Sequence, residues 1–102
     1  MIHIVLTVSD DRIRTVSLCG HSGSAEKGKD LICAAVSAIA FGTCNALDEL
    51  GSKAECSVTD NHILIEADEN DLTQTILNTM LVQLRTVQEG NEAFIEIRKT
   101  EE

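Results

Sequence analysis

A histidine in a glycine-rich stretch and a cysteine at the head of an apolar helical pattern are the residues of this chain best placed to do chemistry. His21 lies in the segment GHSGSAEKGKD, where Gly20, Gly23 and Gly28 fall within nine residues and account for three of the chain's six glycines. Such a stretch tolerates unusual backbone angles and predicts a mobile loop. It closes on Asp30, a good N-cap, and helical apolar spacing starts directly after it, so Cys33 falls at the third helical position. There the positive end of the helix dipole and free amide groups favour a thiolate, and a histidine folded over it can take the proton. The pattern points to nucleophilic catalysis, with Cys33 as nucleophile and His21 as general base.

Three other readings compete. A helix-borne cysteine is ordinarily a small core hydrophobe, and Cys44 and Cys56 are read that way; Cys19, at a strand end, stays open, and His3 and His62 are read as polar surface positions. Cys19, His21, Cys33 and Cys56 are suitable zinc ligands, but only Cys19 and His21 are closely spaced, whereas structural zinc draws ligands in close pairs, so no metal is expected. Gly23, Gly28 and Lys29 satisfy most of a phosphate-binding loop. The next residue, however, is Asp30 where a magnesium-binding hydroxyl belongs, and Glu26 adds negative charge beside the phosphates, so no nucleotide or other cofactor is expected.

The chain of 102 residues suits one domain, 1–102, with one modest core. Its formal charge of −9 and the absence of Trp and Tyr argue against a nucleic-acid surface and favour a basic partner. The N-terminus MIHIVLTVSD lacks a basic region and turns polar at Ser9, unlike a signal peptide, and no apolar run is expected to approach membrane-spanning length. The reading is a cytoplasmic protein that contacts no membrane and keeps its four cysteines as thiols.

The elements that must position His21 and Cys33 follow from periodicity. Residues 2–9 alternate as a strand, Asp10 and Asp11 turn the chain, and Arg12 to Leu18 returns. A helix runs from Leu31 to a stop at Gly51; its small apolar residues predict deep packing. Lys53 to Thr59 and His62 to Ala67 make a second hairpin, and Leu72, Ile76, Met80, Leu84 and Val87 mark a second helix that ends at Gly90 with its polar face to water. Ala93 to Lys99 is the last strand. The order ββαββαβ predicts a two-layer α+β domain, a mixed or antiparallel sheet with both helices on one face. Val5, Leu64 and Phe94 would lie on the other face, an apolar surface that suggests a homodimer.

Gly20-His21, Gly28, Asp30, Cys33, Ala34-Ala35-Val36 and Ser37 together resemble the signature of the ribosomal-processing cysteine protease (Prp) family, as do the His21-to-Cys33 spacing and the chain length. Ser22 departs from the alanine more usual there. The resemblance implies an endopeptidase that removes a short N-terminal extension from the precursor of large-subunit ribosomal protein twenty-seven, acting as a homodimer with a mobile loop around Gly23 and Gly28. It implies His21 as base and Cys33 as nucleophile, with Asp30, Gly20 and Ser37 in support. The alternative from another class is a non-enzymatic, ribosome-associated adaptor whose loop binds a peptide.

Overall fold

The computed structural model describes residues 1–20 and 30–102. Strands β1 (Ile2–Ser9) and β2 (Arg12–Cys19) form a hairpin whose turn residues, Asp10 and Asp11, take left-handed φ values of 53° and 61°. Short polar side chains tolerate that conformation, and its twist matches the strands it joins. Helix α1 (Leu31–Glu49) follows, then the hairpin of β3 (Glu55–Thr59) and β4 (His62–Glu66), helix α2 (Asp71–Gln88) and strand β5 (Ile95–Glu101).

The five strands lie in the order β3-β4-β2-β1-β5, antiparallel except for the β1–β5 pair, so the sheet is mixed and the order ββαββαβ stands as expected. Strands β2 and β3 run in the same direction, as do β4 and β5, so each pair needs a crossover, and the two helices supply them. Ile2, Ile4, Leu6, Val16, Leu18, Ile65 and Ile95 bury one sheet face against Val36, Ala40 and Leu47 of α1 and Leu77, Met80, Leu81 and Leu84 of α2. Ile13 is buried too, although its odd number puts it out of phase with Val16 and Leu18. A bulge between Thr7 and Val8, with Arg14 the extra residue on β2, resets the alternation.

Several expected boundaries and faces are corrected. Strand β3 starts at Glu55, because the Ala54 amide donates to the Ser52 hydroxyl; β4 ends at Glu66, with one further bond from the Ala67 amide to the Arg14 carbonyl of β2. Strand β5 starts at Ile95, since the Phe94 amide closes a turn on the Asn91 carbonyl, and Phe94 packs against the core cluster. The open sheet face keeps Val5 and Leu64 but surrounds them with polar pairs: Thr7 with Thr15 at 2.7 Å, Ser17 with His62 at 2.9 Å and His3 with Glu96 at 3.2 Å. The broad apolar face is therefore absent among the described residues.

Helix α1 is not deeply packed: it buries Val36, Ala40, Thr43 and Leu47, while Leu31 and Phe41 are 81% and 46% exposed. By length and composition this helix is apolar enough to cross a membrane, contrary to the expectation from sequence, and here its buried stripe closes the core. On α2 the polar residues Thr73 and Gln74 are buried rather than solvated. Strand β4 pairs with β2 only from Thr15 to Cys19. Beyond that pairing Gln74 stands in for a strand: its Oε1 accepts from the Ile13 amide at 2.8 Å, and its Nε2 donates to the Ile13 and Asp68 carbonyls. Gln74→Ala orphans these buried groups and should cost about 2–3 kcal/mol, read as a lower urea midpoint.

Candidate active site

The site starts from the way α1 begins. Asp30 has extended backbone, φ −81° and ψ 94°, and its carboxylate accepts the Cys33 amide at 2.9 Å, while its carbonyl accepts the Ala34 amide at 3.0 Å. The cap fixes Cys33 at the third helical position, as its sequence spacing predicts. The amides of Leu31 and Ile32 head the helix beside it. Asp30 thus occupies Cys33's own amide.

Cys33 opens on a cavity of about 180 Å³ at the end of the sheet where β2 finishes and β4 begins. Buried Ile2, Leu18 and Val36 form its apolar base, and the more exposed Phe41 and Val58 (46% and 51%) stand at its margin. Thr59, Asn61 and His62 contribute a polar side. Ser37, one helical turn beyond Cys33, lines the same cavity, as does Gly20.

Gly20 earns its residue type. Its φ is +97°, and a Cβ there would collide with the Met1 carbonyl oxygen, so backbone conformation and close approach both require glycine. Its amide reaches the Asn61 carbonyl at 3.4 Å. The structure therefore gathers Cys33, Ser37 and Gly20 around one cavity, with Asp30 bonded to Cys33. His21, Gly23 and Gly28 lie outside the described residues.

Sequence reasoning missed the cavity wall. Phe41, Val58, Thr59, Asn61 and His62 come from α1, β3, β4 and the turn between those strands, and only the strand register brings them to the Cys33 end. His62 in particular, read as a surface residue, pairs with Cys19 in register and hydrogen-bonds Ser17. Among the described residues no three His, Cys, Asp or Glu side chains gather as a metal-binding group. The setting of a phosphate loop is missing as well, since β2 is antiparallel to both neighbours.

Two substitutions test this local architecture. Asp30→Ala should lower stability by about 1 kcal/mol, with Asp30→Asn restoring most of it because the amide oxygen still caps; thermal melts compare the two. Gly20→Ala must strain both φ and the Met1 contact and should cost about 1–3 kcal/mol, measured by urea unfolding.

Comparison with known proteins gives a consistent picture. The family model described as cysteine protease Prp matches residues 1–96. The ribosomal processing cysteine protease Prp of Staphylococcus aureus (strain Mu50 / ATCC 700699) is 39% identical over 95 residues, covering 87% of this chain and 90% of the relative. A crystal structure of the S. aureus ribosomal processing protease Prp with a covalently linked product peptide matches with a TM-score of 0.93 at 34% identity, over 98% of this chain and 100% of that one. The same enzyme with a substrate peptide matches with a TM-score of 0.87 at 33% identity and the same coverage.

Proposed function

The chain belongs to the Prp family of cysteine proteases, and from that membership we propose that it removes the N-terminal extension of the precursor of large-subunit ribosomal protein twenty-seven, with Cys33 and His21 as its catalytic pair. The observation that carries the reading is Cys33 itself: a thiol at the capped head of α1, opening on an apolar cavity. The S. aureus relative, solved with a covalently linked product peptide, supports a covalent route.

In the proposed reaction His21 accepts the Cys33 proton, and the sulfur attacks the scissile carbonyl to form a tetrahedral oxyanion. The Leu31 and Ile32 amides, at the head of α1, are candidates to stabilise it, and a donor of this kind is typically worth about 10²–10³ in rate. The imidazolium then protonates the leaving amine, and the extension remains as a thioester on Cys33. Water, deprotonated by His21, cleaves the thioester and releases the carboxylate product. A large apolar side chain of the extension, seated over Ile2, Leu18 and Val36, would hold the bond in line for attack. Gly20 and Ser37 shape that cavity, and Gly23 and Gly28 belong to the loop proposed to close over the peptide.

We further place the enzyme in the cytoplasm as a homodimer, on the family resemblance. A basic precursor would be drawn toward a chain of formal charge −9, which helps encounter at low salt. No metal or cofactor enters this chemistry.

The test is incubation of the full chain with the extended precursor, with products weighed by mass spectrometry. Intact enzyme should release one N-terminal fragment. Cys33→Ala and His21→Ala should each slow cleavage by more than about 10³-fold while leaving the circular dichroism spectrum unchanged. A precursor left whole by folded, reduced enzyme, or trimmed by Cys33→Ala, would replace the protease reading with a peptide-binding adaptor.

A further inference from the structure

The two edges of the sheet are built differently. Edge strand β5 carries Glu96, Arg98, Lys99 and Glu101 among its seven residues, charges of the kind that keep an edge from pairing with another chain. Edge strand β3 is charged only at Glu55, and it pairs with β4 without a bulge from Glu55 to Thr59. Among the described residues no strand lies beyond β3, so the backbone N–H and C=O groups of its alternate residues point away from the sheet. Its last two residues, Val58 and Thr59, line the cavity on which Cys33 opens. The edge that lacks charged protection is therefore the one that ends at the thiol.

We propose that β3 is a docking edge for the substrate: the N-terminal extension of the precursor adds to it as a sixth strand, which leads the scissile bond to Cys33. This rests on the protease reading above and extends it from the bond that is cut to the segment that precedes it.

The surroundings of β3 define what that segment carries. Side chains of an added strand alternate between the two faces of the sheet. On the helix side they would meet Val58 and Phe41, 51% and 46% exposed where they border the cavity, which favours apolar residues there. On the open side stands Glu55, directly opposite Glu66 of β4, a like-charged pair that is unfavourable and that has no cation partner among the described residues. A lysine or arginine of the extension beside Glu55 would relieve that repulsion. The occupant is thus an extended segment, apolar toward α1 and basic on the other side, rather than a second copy of a chain whose formal charge is −9. The five residues of β3 span about 17 Å and pair with about five residues of the extension.

The test uses the folded Cys33→Ala chain, which holds substrate uncut, and a synthetic peptide made of the extension and the first residues of the mature protein. Binding is measured by calorimetry for this peptide and for versions N-methylated at one backbone amide at a time. Methylation removes a strand donor, and only alternate residues of a strand aim theirs at a given neighbour. Every second methylation in the run of about five residues before the scissile bond should therefore weaken binding about tenfold, and those between should change it less than about threefold. With peptide bound, amide exchange should slow at alternate residues of β3 and stay unchanged in β5. Methylation losses without a two-residue period, unchanged exchange in β3 at saturating peptide, or no binding at all to the folded variant would each overturn the docking edge; intact enzyme that still cuts the precursor would then keep the protease reading standing. Conversely, a precursor left whole by intact, reduced enzyme would remove the protease reading, while periodic losses and slowed β3 exchange would retain the edge as a peptide-binding surface.

Discussion

The C-terminal end of β2 is held from both sides, and the site depends on that hold. Cys19 pairs with His3 of β1 and with His62 of β4, so the last residue of the central strand cannot fray as a free end would. Immediately beyond it, Gly20 is fixed by the Asn61 carbonyl and by the close approach of the Met1 carbonyl. The chain therefore leaves the sheet at a set point and in a set direction. It re-enters regular structure at Asp30, whose cap is equally specific. Catalysis by two side chains gains most when neither has to be searched for, because pre-paid orientation is worth several orders of magnitude in effective concentration. Backbone hydrogen bonds at Gly20 and at Asp30, on either side of residues 21–29, meet that need.

The same geometry explains why α1 is apolar and yet poorly buried. A helix that must present Cys33 beside a cavity cannot bury the face that lines it. Its stripe of Val36, Ala40, Thr43 and Leu47 anchors it to the sheet and to α2. Phe41, left 46% exposed at the cavity margin, forgoes part of the about 1.5–3 kcal/mol that full burial of such a side chain would contribute. Exposed large apolar residues next to a cavity are more informative than exposed charges, since they mark where a partner's apolar surface can complete the core. Val58 does the same from β3.

Most of the fold was legible because each element carries a one-dimensional signal. Alternation across residues 2–9 found β1, and the spacing from Leu72 to Val87 found α2. Asp30 and Gly51 bracketed α1, whose Gly51 has φ +83° and closes the helix with its amide on Asp48 while Ser52 reaches Leu47. The errors came where two-dimensional information was needed. Gln74 looks like surface polarity on a helical wheel, and only the shortfall of β4 along β2 shows that an amide side chain must complete the ladder. Phe94 fits the alternation of β5, yet a turn on Asn91 removes it from the strand. For the site, Cys33 and Asp30 were visible through capping, whereas Asn61, His62 and Val58 become cavity residues only through register.

That capping has an electrostatic consequence for the proposed chemistry. The head of a helix favours an anion by about 0.3–1 kcal/mol, which alone is a small aid to ionising a thiol. Here the anion already present is the Asp30 carboxylate, accepting the Cys33 amide at 2.9 Å. It takes up part of the dipole's positive end. Helix position therefore orients Cys33 more than it activates it. In the proposed mechanism activation comes from a base that becomes positive as the sulfur becomes negative, so that the pair is neutral overall. An imidazole meets that requirement near neutral pH and an amine or guanidinium does not, since each is already protonated there. This is the physical reason the proposed mechanism uses His21 rather than Lys27 or Lys29 of the same segment.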